Sequence, residues 1–463
     1  MKTIRRVAAA LGLAGTAATA ASADPLAYFP PMVIPPLHEC PDLVWRGAPL
    51  GSVDVVSLDR GARTGLRIGA GRDGAARGPE VTPLARERVD ELLARTQLFS
   101  TSEEGGRVVL AVAHDGGHAG ELLAADTALH EAFHLAAQRS FRARETRRGV
   151  GEGNTPELRY FRRELWGALR RLTTAGEAAA RPAEFAAVAY WWERVRESAG
   201  AGLSQMMSLD IREGSAEYAS AIGLAISNAG CRGEPGRIVA EATRTLAQRW
   251  PTSHAALPIA RVDAESYAIG AMAFVLLRQR DGQEDWEEKV QVHGEHPLDI
   301  LLLNVLPSEQ PWDHGLLERM RAETEASNQR YREQRSAIAA EFLRHGVRLL
   351  VFGPDWRGSF TPKDGFIHFS DAAGSTVQVA LRASARFDPR RGTADAVRLE
   401  DANFAWNMET PCGRGMAVAL ADGEVPAEKD GRVTIPGPRV TLSVDKALVT
   451  VQESAGRTLH CVR

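Results

Sequence analysis

Lysine is nearly missing from this chain: only Lys2, Lys289, Lys363, Lys429 and Lys446 stand among its 56 basic residues, and the others are arginines. Acidic and basic residues almost cancel, leaving a formal charge of −3. That balance excludes the basic excess expected of a nucleic-acid-binding protein. Cysteine is scarce as well, with four in 463 residues. None has the spacing of zinc-ligating cysteines. No segment beyond the N-terminal region holds about 18 uninterrupted apolar residues, so no membrane-spanning helix is expected. The chain also lacks G-x-S-x-G and G-x-x-x-x-G-K, which excludes the serine-nucleophile elbow and the phosphate loop.

What is present describes a globular protein. At 44 % hydrophobic and 25 % charged, the chain is long enough for a sizeable catalytic domain with one or two smaller ones. The excess of Arg over Lys, with abundant Ala and Gly, fits a GC-rich bacterial genome. MKTIRR is basic, VAAALGLAGTAATA is apolar but too short to span a bilayer, and Ala21-Ser22-Ala23 is a small-residue cleavage site. Residues 1–23 therefore read as a secretory signal and predict an exported protein, periplasmic or secreted. Removing Lys2, Arg5 and Arg6 takes the charge from −3 to −6. In such a compartment Cys40, Cys231, Cys412 and Cys461 allow three disulfide pairings. Cys412 with Cys461 is the local pair, which leaves Cys40 with Cys231; free buried thiols are the alternative.

Three regions follow the signal. Residues 24–106 are rich in Pro and Gly, with the strand-like SVDVVSL and the helical LARERVDELLART, and form a mixed N-terminal lobe. Residues 107–346 open with a strand at Arg107–His114 and then carry helical periodicity almost throughout. From residue 347 to 463 short alternating segments such as RLLVF, FIHFS and RVTLSVD predict an antiparallel β sandwich or barrel. The fold class is α+β, with an α-rich domain between a mixed lobe and a β domain.

The chemistry lies in TALHEAFHLAAQ, Thr127 to Gln138. On a helix His130 and His134 project from one face and can reach one cation, while Glu131 lies about 100° round and can hold a water bound to it. Asp126 or Thr127 would cap this helix, and Leu129, Phe133 and Ala136 would form its buried stripe. Two imidazoles alone also describe a hydrogen-bonded histidine pair, so a third ligand decides. The best source is LDIREGSAEYASAIGL, where Glu213 and Glu217 share a helical face and Ile211, Tyr218, Ile222 and Ala225 form the buried stripe. One of these carboxylates can bind metal and the other can orient a ligand imidazole.

HEAFH followed by EGSAEY resembles the gluzincin metallopeptidases of the thermolysin and alanyl-aminopeptidase type, whose signatures are H-E-x-x-H and E-G-x-A-x-Y. The resemblance implies one zinc ion per chain, held by His130, His134 and Glu213. It makes Glu131 the general base and places Glu217 behind the ligands. SYAIGAMAFVLL is similar to the Y-x-x-G helix of the aminopeptidase-type members. That match implies that Tyr267 stabilises the oxyanion, although beside Gly270 and Ala271 it also reads as a packing contact. A peptide or protein substrate is implied, cleaved by zinc-activated water.

The resemblance spans residues 107–280 and departs from the family in two places. The interval from His134 to Glu213 is unusually long and must hold extra helices around Trp166 and Trp191-Trp192, which would shape or cover the cleft. The G-x-M-E-N segment of aminopeptidases is absent, and the strand ends instead in HDGGHAG. Two alternatives stay open: a zinc aminopeptidase of the same superfamily, and a non-catalytic binding protein that keeps the fold. His114 and His118, flanking Gly116-Gly117, read as loop residues rather than a second metal site, and His293 and His296 as surface-loop residues. Tyr190-Trp191-Trp192 reads as core. The β domain has no partner legible in its sequence.

Overall fold

VDVVSLD is a run of β-branched and apolar residues with short polar ones, suited to a strand covered on both faces. It forms β1 (Val53–Asp59), buried along its whole length. The computed structural model describes residues 27–70, 78–96, 98–143, 155–174, 181–249, 262–280, 285–353, 356–364, 366–370, 375–388 and 396–462. The expected signal at 1–23 lies outside the described residues. Around β1 stand β2 (Thr64–Ala70), β3 (Pro79–Pro83), β4 (Phe99–Glu104) and β5 (Arg107–His114), in the sheet order β3-β2-β1-β5-β4. Strand β5 covers the residues expected of it and pairs in parallel with β1, Val55 opposite Leu110. Residues assigned to a separate N-terminal lobe thus share one sheet with the start of the next region.

The helices are α1 (Phe29–Ile34), α2 (Arg86–Arg95), α3 (Gly117–Ala136), α4 (Pro156–Thr174), α5 (Arg181–Ala199), α6 (Leu203–Ala229), α7 (Pro235–Arg249), α8 (Val262–Gln279) and α9 (His314–Leu343), with shorter turns between. One face of the sheet, through Val53, Val55, Leu110 and Val112, joins α3, α6 and α8 in the main core. The other face packs Val56, Leu58 and Val109 against Val89 and Leu92 of α2. Among the described residues no helix is long and apolar enough to cross a membrane.

Chain compactness divides between Glu325 and Ala326, inside α9, rather than at residue 347. The periodicity of the sequence marks where α9 ends, but Ile338 and Phe342 already bury against the strands that follow. Beside the end of α9, the described residues of the second unit form a single sheet of eleven strands, β6 to β16, from Arg348–Phe352 to Arg457–Val462. Its pairing is antiparallel except at one seam, where β16 runs parallel to β6 with Cys461 opposite Val351. An alternating pattern sets which face a side chain takes and leaves strand direction open, so this seam was not legible. Leu349 and Val351 face one core, and Leu350 and Phe352 the other.

Two disulfides select one of the three pairings. Cys40 joins Cys231 and Cys412 joins Cys461, with Cα atoms 5.8 and 5.6 Å apart. Both fit an oxidising compartment.

Candidate metal centre

Past His114, Gly116 turns the chain from β5 into α3 at φ +80°, and a Cβ there would lie 2.8 Å from Asp59 Oδ2. Only glycine fits. Helix α3 starts at Gly117, earlier than the caps expected for it. Asp126 and Thr127 therefore lie inside the helix, where Thr127 Oγ1 donates back to the Leu123 carbonyl at 2.9 Å. Leu129, Phe133 and Ala136 are buried as expected and fix the rotation of the helix.

That rotation brings His130 and His134 together on the side facing α6. Their Nε2 atoms are 3.0 Å apart, and Glu213 Oε2 lies 3.6 Å from each. In a tetrahedral zinc site with bonds of about 2.0–2.1 Å, donor atoms stand roughly 3.4 Å from one another. The observed separations bracket that value, so the three residues fit a metal ion. Among the described residues this is the one cluster of three such ligands, all within 4.8 Å of one another. The field points the same way: burial opposes charge on His130, but Glu213, Glu131 and Glu217 outweigh it and hold its pKa above the ordinary imidazole value. A pocket that favours a proton on His130 also favours a cation.

Each imidazole has a partner behind it. His134 Nδ1 lies 2.7 Å from Gln138 Oε1, an acceptor, so the proton sits on Nδ1 and Nε2 is left with its lone pair towards the centre. Gln138 donates in turn to the Arg212 carbonyl and to Ser215 Oγ, at 2.5 and 2.8 Å. Glu217 Oε2 lies 3.8 Å from His130 Nδ1. Its other oxygen accepts from Arg249 at 2.8 Å, and Arg249 reaches back to Asp126 at 2.6 Å. Gln138 and Arg249 were missed in the sequence. Helical spacing from His134 could have suggested Gln138; Arg249, at the end of another helix, left no local signal.

Tyr267 stands beside His130 because α6 and α8 cross with their backbones touching. A Cβ on Gly270 would come within 2.7 Å of Gly214 Cα and would overlap the Asp210 carbonyl oxygen. The close crossing lays the Tyr267 ring nearly parallel to His130, with centroids 5.7 Å apart at 9°. Glu131, beside His130 on α3, adds its charge to the field that raises the His130 pKa.

The long interval between His134 and Glu213 enters the core instead of standing apart from it. Trp166, Trp191 and Trp192 are buried. Arg159, Arg162 and Arg163 of α4 are buried against α6 and α8. Arg162 donates to both oxygens of Asp210 at 3.0 and 2.8 Å and to Ser266 Oγ at 3.1 Å, while Arg163 Nε reaches Glu265 at 2.6 Å. Burial would push the Asp210 carboxyl up; Arg162 and His296 hold it down to about 2. His296 is thus not a surface residue. It is fully buried, stacks on Trp192 at 4.4 Å and caps Pro297–Leu301 by accepting from the Leu298 amide. The flanking Gly294 and Pro297 suggested a loop, and tertiary packing of His296 against Trp192 and Asp210 overrode it.

The other histidine pair is committed elsewhere. The Gly116 amide donates to His114 Nδ1 at 3.1 Å, so Nε2–H points at Ser57 Oγ, 3.0 Å away; His118 lies on α3, with its ring 4.8 Å from that of Tyr28. Compared with family models, curated proteins and solved structures, the chain matches none.

Proposed function

We propose that this chain is an exported zinc metallopeptidase of the gluzincin type. The observation that carries the reading is the convergence of His130 Nε2, His134 Nε2 and Glu213 Oε2 from two helices at separations suited to one tetrahedral ion. Bound there, zinc supplies Lewis acidity for a peptide carbonyl and lowers the pKa of a water towards ~7. His130, His134 and Glu213 hold it. Glu131 accepts the proton of the attacking water and delivers it to the leaving amine. The Tyr267 hydroxyl donates to the oxygen on which negative charge develops. Gln138 and Glu217 keep the two rings aimed at the centre. The two disulfides support export, and a peptide or protein is the substrate.

The test is zinc per chain, by elemental analysis, in wild type, Glu213→Ala and Glu131→Gln, together with hydrolysis of an unstructured protein such as casein. One zinc in wild type, lost in Glu213→Ala but kept in an inactive Glu131→Gln, is the expected result. A wild type that takes up no zinc on reconstitution overturns the reading. Zinc without hydrolysis of blocked or unblocked peptides would leave the non-catalytic alternative in its place.

A further inference from the structure

The ligand histidines are supported unequally. His134 leans on Gln138, four residues along its own chain, whereas His130 Nδ1 faces Glu217 Oε2 of α6 across 3.8 Å, and Glu217 is not held by its own helix. Its Oε1 is taken by Arg249, the last residue of α7, which donates from Nη1 at 2.8 Å and from the same nitrogen to Ser220 Oγ at 3.1 Å. The second arm, Nη2, donates to Asp126 Oδ1 at 2.6 Å. Asp126 stands one turn before His130 on α3, and Glu217 one turn after Glu213 on α6. One guanidinium therefore bridges the two ligand-bearing helices, with its side chain only 12 % exposed.

From this geometry we propose that Arg249 is a positioning residue for the metal: it divides the Glu217 carboxylate, fixing Oε1 so that Oε2 faces His130 Nδ1, and it sets the spacing of α3 and α6. The inference rests on the metal-binding reading of the centre. A planar fork suits this task, since two carboxylates on different helices need two donors at a fixed angle. Lysine offers a point charge that can serve one carboxylate well or two poorly. A guanidinium that only stabilised the fold would support the helices without affecting what the centre binds. Partners behind a ligand histidine typically contribute 10- to 100-fold in metal affinity.

The experiment compares wild type, Arg249→Met, Arg249→Lys and Arg244→Met, each stripped of metal and checked for helicity by circular dichroism. Arg244 is an exposed arginine on the same helix and controls for loss of charge. Zinc affinity is measured by competition with a chromophoric chelator, and Co2+ is titrated to read the d–d absorption of the site. Arg249→Met should bind zinc about 10- to 100-fold more weakly with an altered cobalt spectrum. Arg249→Lys should recover part of the affinity, and Arg244→Met should match wild type. A folded Arg249→Met with wild-type affinity and spectrum overturns the inference. If Arg249→Met does not fold, Asp126→Asn and Arg249→Lys decide, each weakening one part of the bridge: weaker zinc in either supports the role, and wild-type affinity in both overturns it. A wild type that binds neither metal overturns the proposed function together with this inference, whereas wild-type binding with unchanged variants overturns this inference alone.

Discussion

Gly214 and Gly270 meet backbone to backbone where α6 crosses α8, and a Cβ on either would overlap the other helix. Glu213 precedes one glycine and Tyr267 stands one turn before the other, so this crossing sets the distance between a candidate metal ligand and the tyrosine beside His130.

Gly270→Ala should force the helices apart, because the new methyl meets backbone atoms that have no rotamer by which to yield. Overpacking of this kind costs about 1–3 kcal/mol. Urea unfolding of the metal-free protein reads that loss, and zinc affinity should weaken in the same variant as Glu213 shifts. A variant as stable as wild type would mean that the helices separate at no cost.

Tyr267→Phe keeps the ring beside His130 and removes only the hydroxyl. Zinc content should therefore stay at the wild-type level while turnover falls by about 10²- to 10³-fold, the usual effect of deleting one oxyanion donor. Loss of zinc together with activity would reassign Tyr267 to packing.

Asp210 gives the unit an acid sensitivity. Its folded pKa, about 2, lies below the ordinary 3.8, so its pairing contributes stability in full above about pH 4 and loses it as pH falls towards 2. The contribution is on the order of 2 kcal/mol. Urea midpoints between pH 5 and pH 2 should fall more steeply for wild type than for Asp210→Asn. Parallel profiles would exclude Asp210 as the source.

The Cys40–Cys231 bridge closes a loop with a sequence separation of 191 and ties the segment after α1 to the end of α6. By chain entropy a closure of that length contributes about 5 kcal/mol, and removal of native disulfides typically costs 2–5. Cys40→Ser/Cys231→Ser should accordingly lower the thermal midpoint well beyond the change in Cys412→Ser/Cys461→Ser, whose loop is shorter at 49. Equal shifts would show that the long loop is already restrained in the unfolded chain.

Much of this molecule was legible because the governing physics is local. The strand Arg107–His114, the helical faces of His130/His134 and of Glu213/Glu217, and the buried stripes beside them follow from residue periodicity, which a backbone of fixed rise and twist converts directly into faces. The α+β class follows from the same patterns. Other features depend on which elements meet. Arg249 reaches Glu217, His296 is buried against Asp210, β16 joins β6 in parallel, and α9 enters the core of the strands before it ends. Each is a contact between segments far apart in the chain, where burial makes an ion pair or a strand seam obligatory once the helices and sheets have packed. The amino-acid order by itself determined the candidate ligand types and the faces that present them; tertiary packing decided that three of those side chains converge, since only the packing of α3 against α6 brings their atoms to within one ion's reach.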